Sequence, residues 1–240
     1  MARRATRKPV RKSAQSSART AAPAAQTERD RIVAAFLALL ADKPFAAIGF
    51  DDIAQRAGLS LAQLRGEFAS TLAILAAHIK ATDRAVLAQD MGDMAEEPPR
   101  ERLFDVLMRR LDVLTAHRDA IRSLLRSARG NPPLALVLNG LAVRSQQWML
   151  TAAGISASGP QGMIRAQGLA VLFASVLRTW VDDDDPGQAR TMAALDRALA
   201  RGQRVAGLLD DLCSIPSRFC GLRARRRRRP RGSSRETAAA

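Results

Sequence analysis

An all-α fold is predicted by three features of this sequence. Helix formers dominate: 47 % of the 240 residues are apolar, with Ala and Leu abundant, while aromatic residues make up only 4 % and Tyr is absent. Apolar side chains recur at three- and four-residue steps through the middle of the chain. Ser, Thr, Asp, Gly and Pro punctuate these periodic stretches where helices start and stop.

Residues 1–26 mix Arg, Lys, Ser, Ala, Thr, Gln and Pro without an apolar period, and read as a disordered basic arm. Thr27 then precedes Glu28 and Asp30, an N-cap followed by acids in the first turn, where negative charge suits the helix dipole. Ile32, Phe36, Leu39 and Leu40 share one face of this helix, which should end near Lys43, ahead of Pro44. A short apolar connection over 45–50 contains Gly49. Asp51 is expected to cap a second helix over 52–57, closed by Gly58. Ser60 is expected to cap a third over 61–68, and Ser70 a fourth running to about residue 89. The fourth carries Leu72, Leu75, Ile79, Val86 and Leu87 on one side. The polar stretch 92–99, with Pro98 and Pro99, reads as the domain boundary.

Longer helices follow. Residues 101–115 place Leu103, Leu107, Leu111 and Leu114 on one stripe. A helix over 117–129 is ended by Gly130, and Pro132 and Pro133 open the next, which reaches about residue 153. Another runs from Pro160 to about residue 181. The last, with Asp185 as its cap, runs from Gln188 to about Leu212 along the line Met192, Leu195, Leu199, Val205, Leu209 and Leu212. No strand is expected. The predicted organisation is a disordered basic arm (1–26), a helix-turn-helix domain (27–90), a helical ligand-binding and dimerisation domain (98–212) and a disordered Arg-rich tail (213–240).

The net charge of +15 is unevenly placed. Residues 1–19 hold seven basic residues (Arg3, Arg4, Arg7, Lys8, Arg11, Lys12 and Arg19) and no acid, and residues 218–240 hold nine arginines and one acid. These tails account for the whole excess, and residues 20–217 are neutral. Cationic tails suit phosphate, whether of nucleic acid or of anionic lipid, and are equally well read as solvated ends. The start of the chain is basic and acid-free, as in an organelle transit peptide, but has no apolar core of a secretory signal. The longest apolar stretch, 168–181, is too short to span a bilayer and contains Arg178. Cys213 and Cys220 suggest neither a disulfide framework nor a metal site, so a reducing, cytoplasmic setting fits.

Function is carried by residues 50–60, Phe-Asp-Asp-Ile-Ala-Gln-Arg-Ala-Gly-Leu-Ser. A short helix, a glycine in the turn and a capped second helix make a helix-turn-helix. Ile53 and Ala54 should bury against the first helix. Ala57 is small where the two helices approach, and Gly58 accepts the positive φ that closes a helix. Leu59 fills the space beneath the turn. The helix after Ser60 should present Leu61, Ala62, Gln63, Arg65, Gly66 and Glu67 outward, with Leu64 and Phe68 inward. A helix of this size fits the major groove of B-DNA.

With these motifs, residues 28–80 resemble the N-terminal domain of the TetR family: a long first helix, then Gly, Asp-Ile-Ala-x-x-Ala-Gly-x-Ser, and a Phe closing the third helix. The resemblance implies an N-terminal three-helix helix-turn-helix domain joined to a C-terminal helical domain. It also implies a homodimer that represses transcription and leaves double-stranded DNA when a ligand fills the C-terminal domain. By that resemblance Ser60, Ala62, Gln63 and Arg65 face DNA. Three positions depart from the family's phosphate-touching pattern. Arg65 stands where a Tyr is usual, Glu67 where a His or similar residue is usual, and Thr71 where a Lys follows the third helix. Residues 28–90 hold seven basic against eight acidic groups. That is a poor balance for binding phosphate, and the arm residues Arg3, Arg4, Arg7, Lys8, Arg11 and Lys12 are expected to supply the missing charge.

The C-terminal half carries a second resemblance. Leu103 to Arg110, Thr179-Trp180-Val181-Asp182 and Leu195-Asp196-Arg197 are similar to motifs of the ubiquinone-biosynthesis lipid-binding proteins, which share the TetR-like fold without binding DNA. That resemblance implies a pocket for a long apolar molecule, and supplies the rival reading of a lipid- or isoprenoid-binding accessory protein. Leu107, Trp148, Phe173 and Trp180 are the candidate pocket residues, although aromatic residues at helical spacing also simply fill a core.

His78 and His117 have no histidine near them in sequence, and no metal role is expected of them. Arg109 and Arg110, with Asp105 and Asp112, read as a solvated, salt-bridged face. The run 182–185 lacks the alternate spacing of a calcium loop and reads as helix capping. No phosphate loop, nucleophile elbow or zinc-protease motif occurs, so neither catalysis nor a cofactor is expected. Dimerisation should use the late helices over 160–181 and 188–212, packed as a four-helix bundle.

Overall fold

The computed structural model describes residues 27–89, 92–94 and 96–204. The expectations placed on the arm, on Val205, Leu209 and Leu212, on both cysteines and on the arginine tail lie outside these residues. Among the described residues the chain is helical with no strand.

The first helix, α1, spans Glu28–Asp42 behind a capping box. Thr27 Oγ1 accepts the Asp30 N–H at 3.1 Å, and Asp30 Oδ2 accepts the Thr27 N–H at 3.4 Å. After a 3-10 turn over Phe45–Ala47 come α2 (Phe50–Ala57), α3 (Leu61–Glu67) and α4 (Thr71–Leu87). The start of α2 differs from the expected cap at Asp51. Its cap is Gly49, and Asp52 in the third helical position reaches back to accept the Gly49 N–H at 2.8 Å.

Beyond a 3-10 turn over Gly92–Met94 lie α5 (Pro99–Leu114), a further 3-10 turn (Thr115–His117), α6 (Arg118–Arg129), α7 (Pro132–Ala152) and α8 (Gly159–Trp180). Pro132 and Pro133 open α7 as expected, and Asn131 Oδ1 accepts the Leu134 N–H at 3.0 Å. Residues 189–204 form a ninth helical segment, α9. Two aspartates hold its start. Asp185 Oδ2 accepts the Ala189 N–H at 3.1 Å, and Asp183 Oδ2 accepts the N–H and hydroxyl of Thr191 at 2.9 and 2.6 Å. Asp183 and Asp185 of the acidic run therefore hold the start of this helix, whereas Asp182 pairs with Arg122 at 3.6 Å.

Two apolar cores organise the helices. One gathers Ile32, Phe36, Leu40, Ile53, Leu64 and Phe68 from α1–α3 with Ile74 and Leu75 of α4, and is completed by Ala120 and Leu124 of α6. The other is built by α5, α7, α8 and α9 around Leu107, Met149, Phe173, Trp180 and Leu195. Val86 near the end of α4 belongs to this second core. Helix α4 is thus a strut with its first half in one core and its last turn in the other. Helix α6 also bridges, since Ile121 lies in the second core. Its Ser123 hydroxyl donates to the Lys43 carbonyl at 3.2 Å, and Ser127 Oγ accepts the Phe45 N–H at 3.1 Å. In space, the domain division predicted at 92–99 is crossed by two helices.

The buried face of α4 differs from the predicted stripe. It includes His78, Thr82 and Asp83, while Leu87 is exposed. Arg110 of α5 is likewise buried, correcting its placement on a solvated face: it pairs with Asp83, whose carboxylate also accepts the Ser145 hydroxyl at 2.7 Å. The Asp83 carboxylate thus serves both Arg110 Nη1 and the Ser145 hydroxyl inside the protein, while the buried Arg110 Nε has no hydrogen-bond partner among the described residues. Arg109 does pair with Asp105, at 2.7 Å, but both side chains are half-buried rather than on an open, solvated face.

Candidate nucleic-acid interface

The turn between α2 and α3 is fixed from both sides. Gly58 adopts φ +65°, and its N–H bonds back to Gln55 O at 3.1 Å while Leu59 N–H bonds to Ala54 O at 3.0 Å. The Arg31 guanidinium of α1 donates to the carbonyls of Ala57 and Gly58, at 2.5 and 3.0 Å. Carbonyls that end a helix lack intrahelical donors, and this arginine supplies them here. Ile53, Ala54 and Ala57 bury against α1, as the sequence predicts.

Helix α3 is held at both ends by the first turn of α1. At its start Ser60 Oγ accepts the Gln63 N–H at 3.2 Å, and Gln63 Oε1 accepts the Ser60 N–H at 3.0 Å. Gln63 Nε2 donates to Glu28 at 2.9 Å. At its end Arg29 pairs with Glu67 at 3.3 Å, donates to the Glu67 carbonyl at 3.2 Å and lies 4.2 Å from the centre of the Phe68 ring. Leu64 and Phe68 face inward with 2 % and 4 % exposure. The opposite side, with Leu61, Ala62, Arg65 and Gly66, is exposed.

This short, doubly anchored helix stands on an all-helical body found in known regulators. The TetR transcriptional regulator from Nitrosomonas europaea matches with a TM-score of 0.58 at 22 % identity, over 74 % of this chain and 99 % of that one. A TetR transcriptional regulator from Rhodococcus sp. RHA1 matches with a TM-score of 0.50 at 20 % identity, over 73 % of this chain and 95 % of that one. The fold is that of the TetR regulators. No protein-family model and no curated protein matches the sequence. The lipid-binding resemblance of the C-terminal half rests on its sequence motifs alone.

Within the TetR fold, the predicted DNA-facing residues divide into two sorts. Ala62 and Arg65 are exposed and uncommitted by any ion pair. Ser60 and Gln63 are exposed but occupied with each other, as a capping box. The spacing Ser60-x-x-Gln63 is the sequence signal for this. Thr71 is half-buried in the first turn of α4, behind the Ser70 cap, whose hydroxyl accepts the Ala73 N–H at 3.1 Å.

The other cations of this unit are engaged. Lys43 pairs with Asp52 at 2.6 Å, Arg56 with Asp42 at 3.6 Å and Arg29 with Glu67, while Arg31 serves the turn. Lys43, and after it the Gly49 N–H, holds the Asp52 carboxyl below its ordinary pKa. Among the described residues of α1–α3, Arg65 is the cation left with neither an acid nor a carbonyl as partner.

The four candidate pocket residues do not converge. Leu107, Phe173 and Trp180 are buried together in the second core. The Arg118 guanidinium lies 4.8 Å from the centre of the Trp180 ring. Trp148 is 59 % exposed, on the α7 wall of a groove between α4 and α7. His78 and His117, far apart in sequence, meet edge to face at 5.1 Å. Burial above all, and then His117 and Arg110, depress the pKa of His78 from 6.5 to about 4. No helix of the described residues is long and apolar enough to cross a membrane.

Proposed function

We propose that this chain is a transcriptional regulator of the TetR family that binds a palindromic operator as a homodimer. The observation that carries this reading is α3, anchored at both ends and exposed along Leu61, Ala62 and Arg65. Arg65 suits a guanine edge, and Leu61 and Ala62 suit thymine methyl groups in the major groove. The scarcity of uncommitted cations around α3 supports a role for Arg3, Arg4, Arg7, Lys8, Arg11 and Lys12 on the DNA backbone.

Dimerisation through α8 and α9 is supported by a stripe on α8. Ile164, Gly168, Val171 and Ser175 follow one another at helical spacing and are exposed. Apolar and small side chains in this register suit a helix of a second subunit. Each dimer would offer two copies of α3, roughly one DNA turn apart at about 34–36 Å. Repression, release by a ligand and a cytoplasmic setting belong to the same reading. The rival lipid-accessory function lacks comparable support, because three of its four pocket residues are packed into the core.

Selection of binding sites from random duplexes with the purified full chain tests the proposal. An enriched palindrome is the expected result. Binding that is salt-sensitive but indifferent to sequence would assign the affinity to the basic tails and remove the regulator reading.

A further inference from the structure

The groove between α4 and α7 has a volume of about 450 Å³. That lies within the range of small-molecule sites, about 300–1,000 Å³. Its walls follow from helical spacing. On α4, Ile79, Lys80, Asp83, Arg84 and Leu87 share one face, and on α7, Leu141, Arg144 and Trp148 share another. The walls are mainly apolar, and Leu87 and Trp148 are exposed in the groove.

The charge around this apolar seam is one-sided. Lys80, Arg84 and Arg144 are exposed on its rim, and none of them forms an ion pair among the described residues. The acid of the groove, Asp83, is already neutralised by Arg110 and accepts the Ser145 hydroxyl. Three cations beside low-dielectric walls create a focused positive potential. A neutral ligand would fill the apolar walls and leave that repulsion in place. An anion with a hydrocarbon or aromatic body answers both features.

We propose that the α4–α7 groove is a binding site for a small amphipathic organic anion, its apolar body against Ile79, Leu87, Leu141 and Trp148 and its anionic group toward Arg84 and Arg144. Because α4 joins the two cores, a molecule wedged against it is placed to alter how α1–α3 sit on the rest of the chain. That effector role rests on the proposed regulator function, whereas the binding itself does not.

The test uses the full chain without DNA, so that its outcome is independent of the operator. Decanoate below its micellar concentration is titrated by calorimetry and by tryptophan fluorescence, beside decanol and decyltrimethylammonium of equal chain length. Saturable decanoate binding is expected, at least about tenfold tighter than either comparison compound. The double variant Arg84→Gln/Arg144→Gln should bind decanoate about tenfold more weakly. Trp148→Phe should abolish the fluorescence change while retaining calorimetric binding. Equal affinity for decanol, unchanged affinity in the double variant, or no decanoate binding because a chain segment or a second copy covers the groove would each overturn the proposal.

Discussion

Arg31 in the first helix donates to the carbonyls of Ala57 and Gly58, so the corner of the helix-turn-helix is tied to α1 by one side chain. A Cβ added at Gly58 would stand 3.1 Å from the Arg31 guanidinium, in a backbone at φ +65°. Gly58→Ala should therefore lose stability on two counts. The left-handed conformation alone costs about 1–2 kcal/mol for a residue with a side chain, and Arg31 must also shift. Urea denaturation checks this. An unchanged midpoint would show that the turn tolerates a side chain and that its geometry is not what fixes α3.

The Asp83–Arg110 pair joins α4 to α5 inside the protein. Asp83→Ala leaves a buried guanidinium without its acid, and should cost about 3–5 kcal/mol. The double variant Asp83→Leu/Arg110→Met removes both charges and should recover most of that stability. Equal destabilisation of the two variants in urea would show that packing volume, rather than charge pairing, is what matters here.

His78 gives stability a distinctive dependence on pH. Its folded pKa of about 4 lies below the unfolded value of 6.5. Between these values the unfolded chain takes up the proton and the folded chain does not. The contribution is complete above pH 6.5 and is lost as pH falls toward 4, by about 3 kcal/mol in all. His117, lowered by burial, acts in the same direction. Asp52 and Asp183 are depressed carboxyls, so their contributions persist above pH 3.8 and fail only below it. His78→Leu should flatten the stability profile between pH 6.5 and 4 relative to the unaltered protein. Parallel profiles would contradict the buried, neutral imidazole.

Deleting residues 2–20 should weaken operator binding and lower the slope of log affinity against log salt. The slope should fall by roughly 0.9 for every phosphate that the arm neutralises in the full chain. An undiminished slope would show that the arm makes no ionic interaction with DNA.

The helix-turn-helix is legible in the sequence because its determinants are local. Thr27, Ser60 and Ser70 cap the helices they precede, and Gly58 closes α2, all within a few residues of chain. Asp51 looks like a cap because Asp favours that position. The chain instead starts α2 at Phe50 and uses Asp52 to satisfy Gly49. Gln63 falls at a DNA-facing position by resemblance, yet its spacing from Ser60 already suits a capping box.

What stays hidden in the sequence depends on which helices meet. Asp83, Arg110 and His78 look like surface residues in a one-dimensional pattern. They become buried only because α4 lies against α5 and α7, bringing Ser145 and His117 to them. Trp148 and Trp180 are alike in composition and opposite in place, since one lies on the outer edge of α7 and the other ends α8 in the core. Helical periodicity identifies an apolar face but does not say which partner, if any, covers it.

Reading of bases by α3 is tested most directly by repeating the site selection with Arg65→Ala beside the unaltered chain. Both proteins should enrich the same palindrome, with preference relaxed in the variant at one position in each half-site and its symmetric mate. Discrimination there should fall by about 1–3 kcal/mol. Identical base preferences in the two proteins would contradict this, because the exposed arginine of α3 would then have no part in reading DNA.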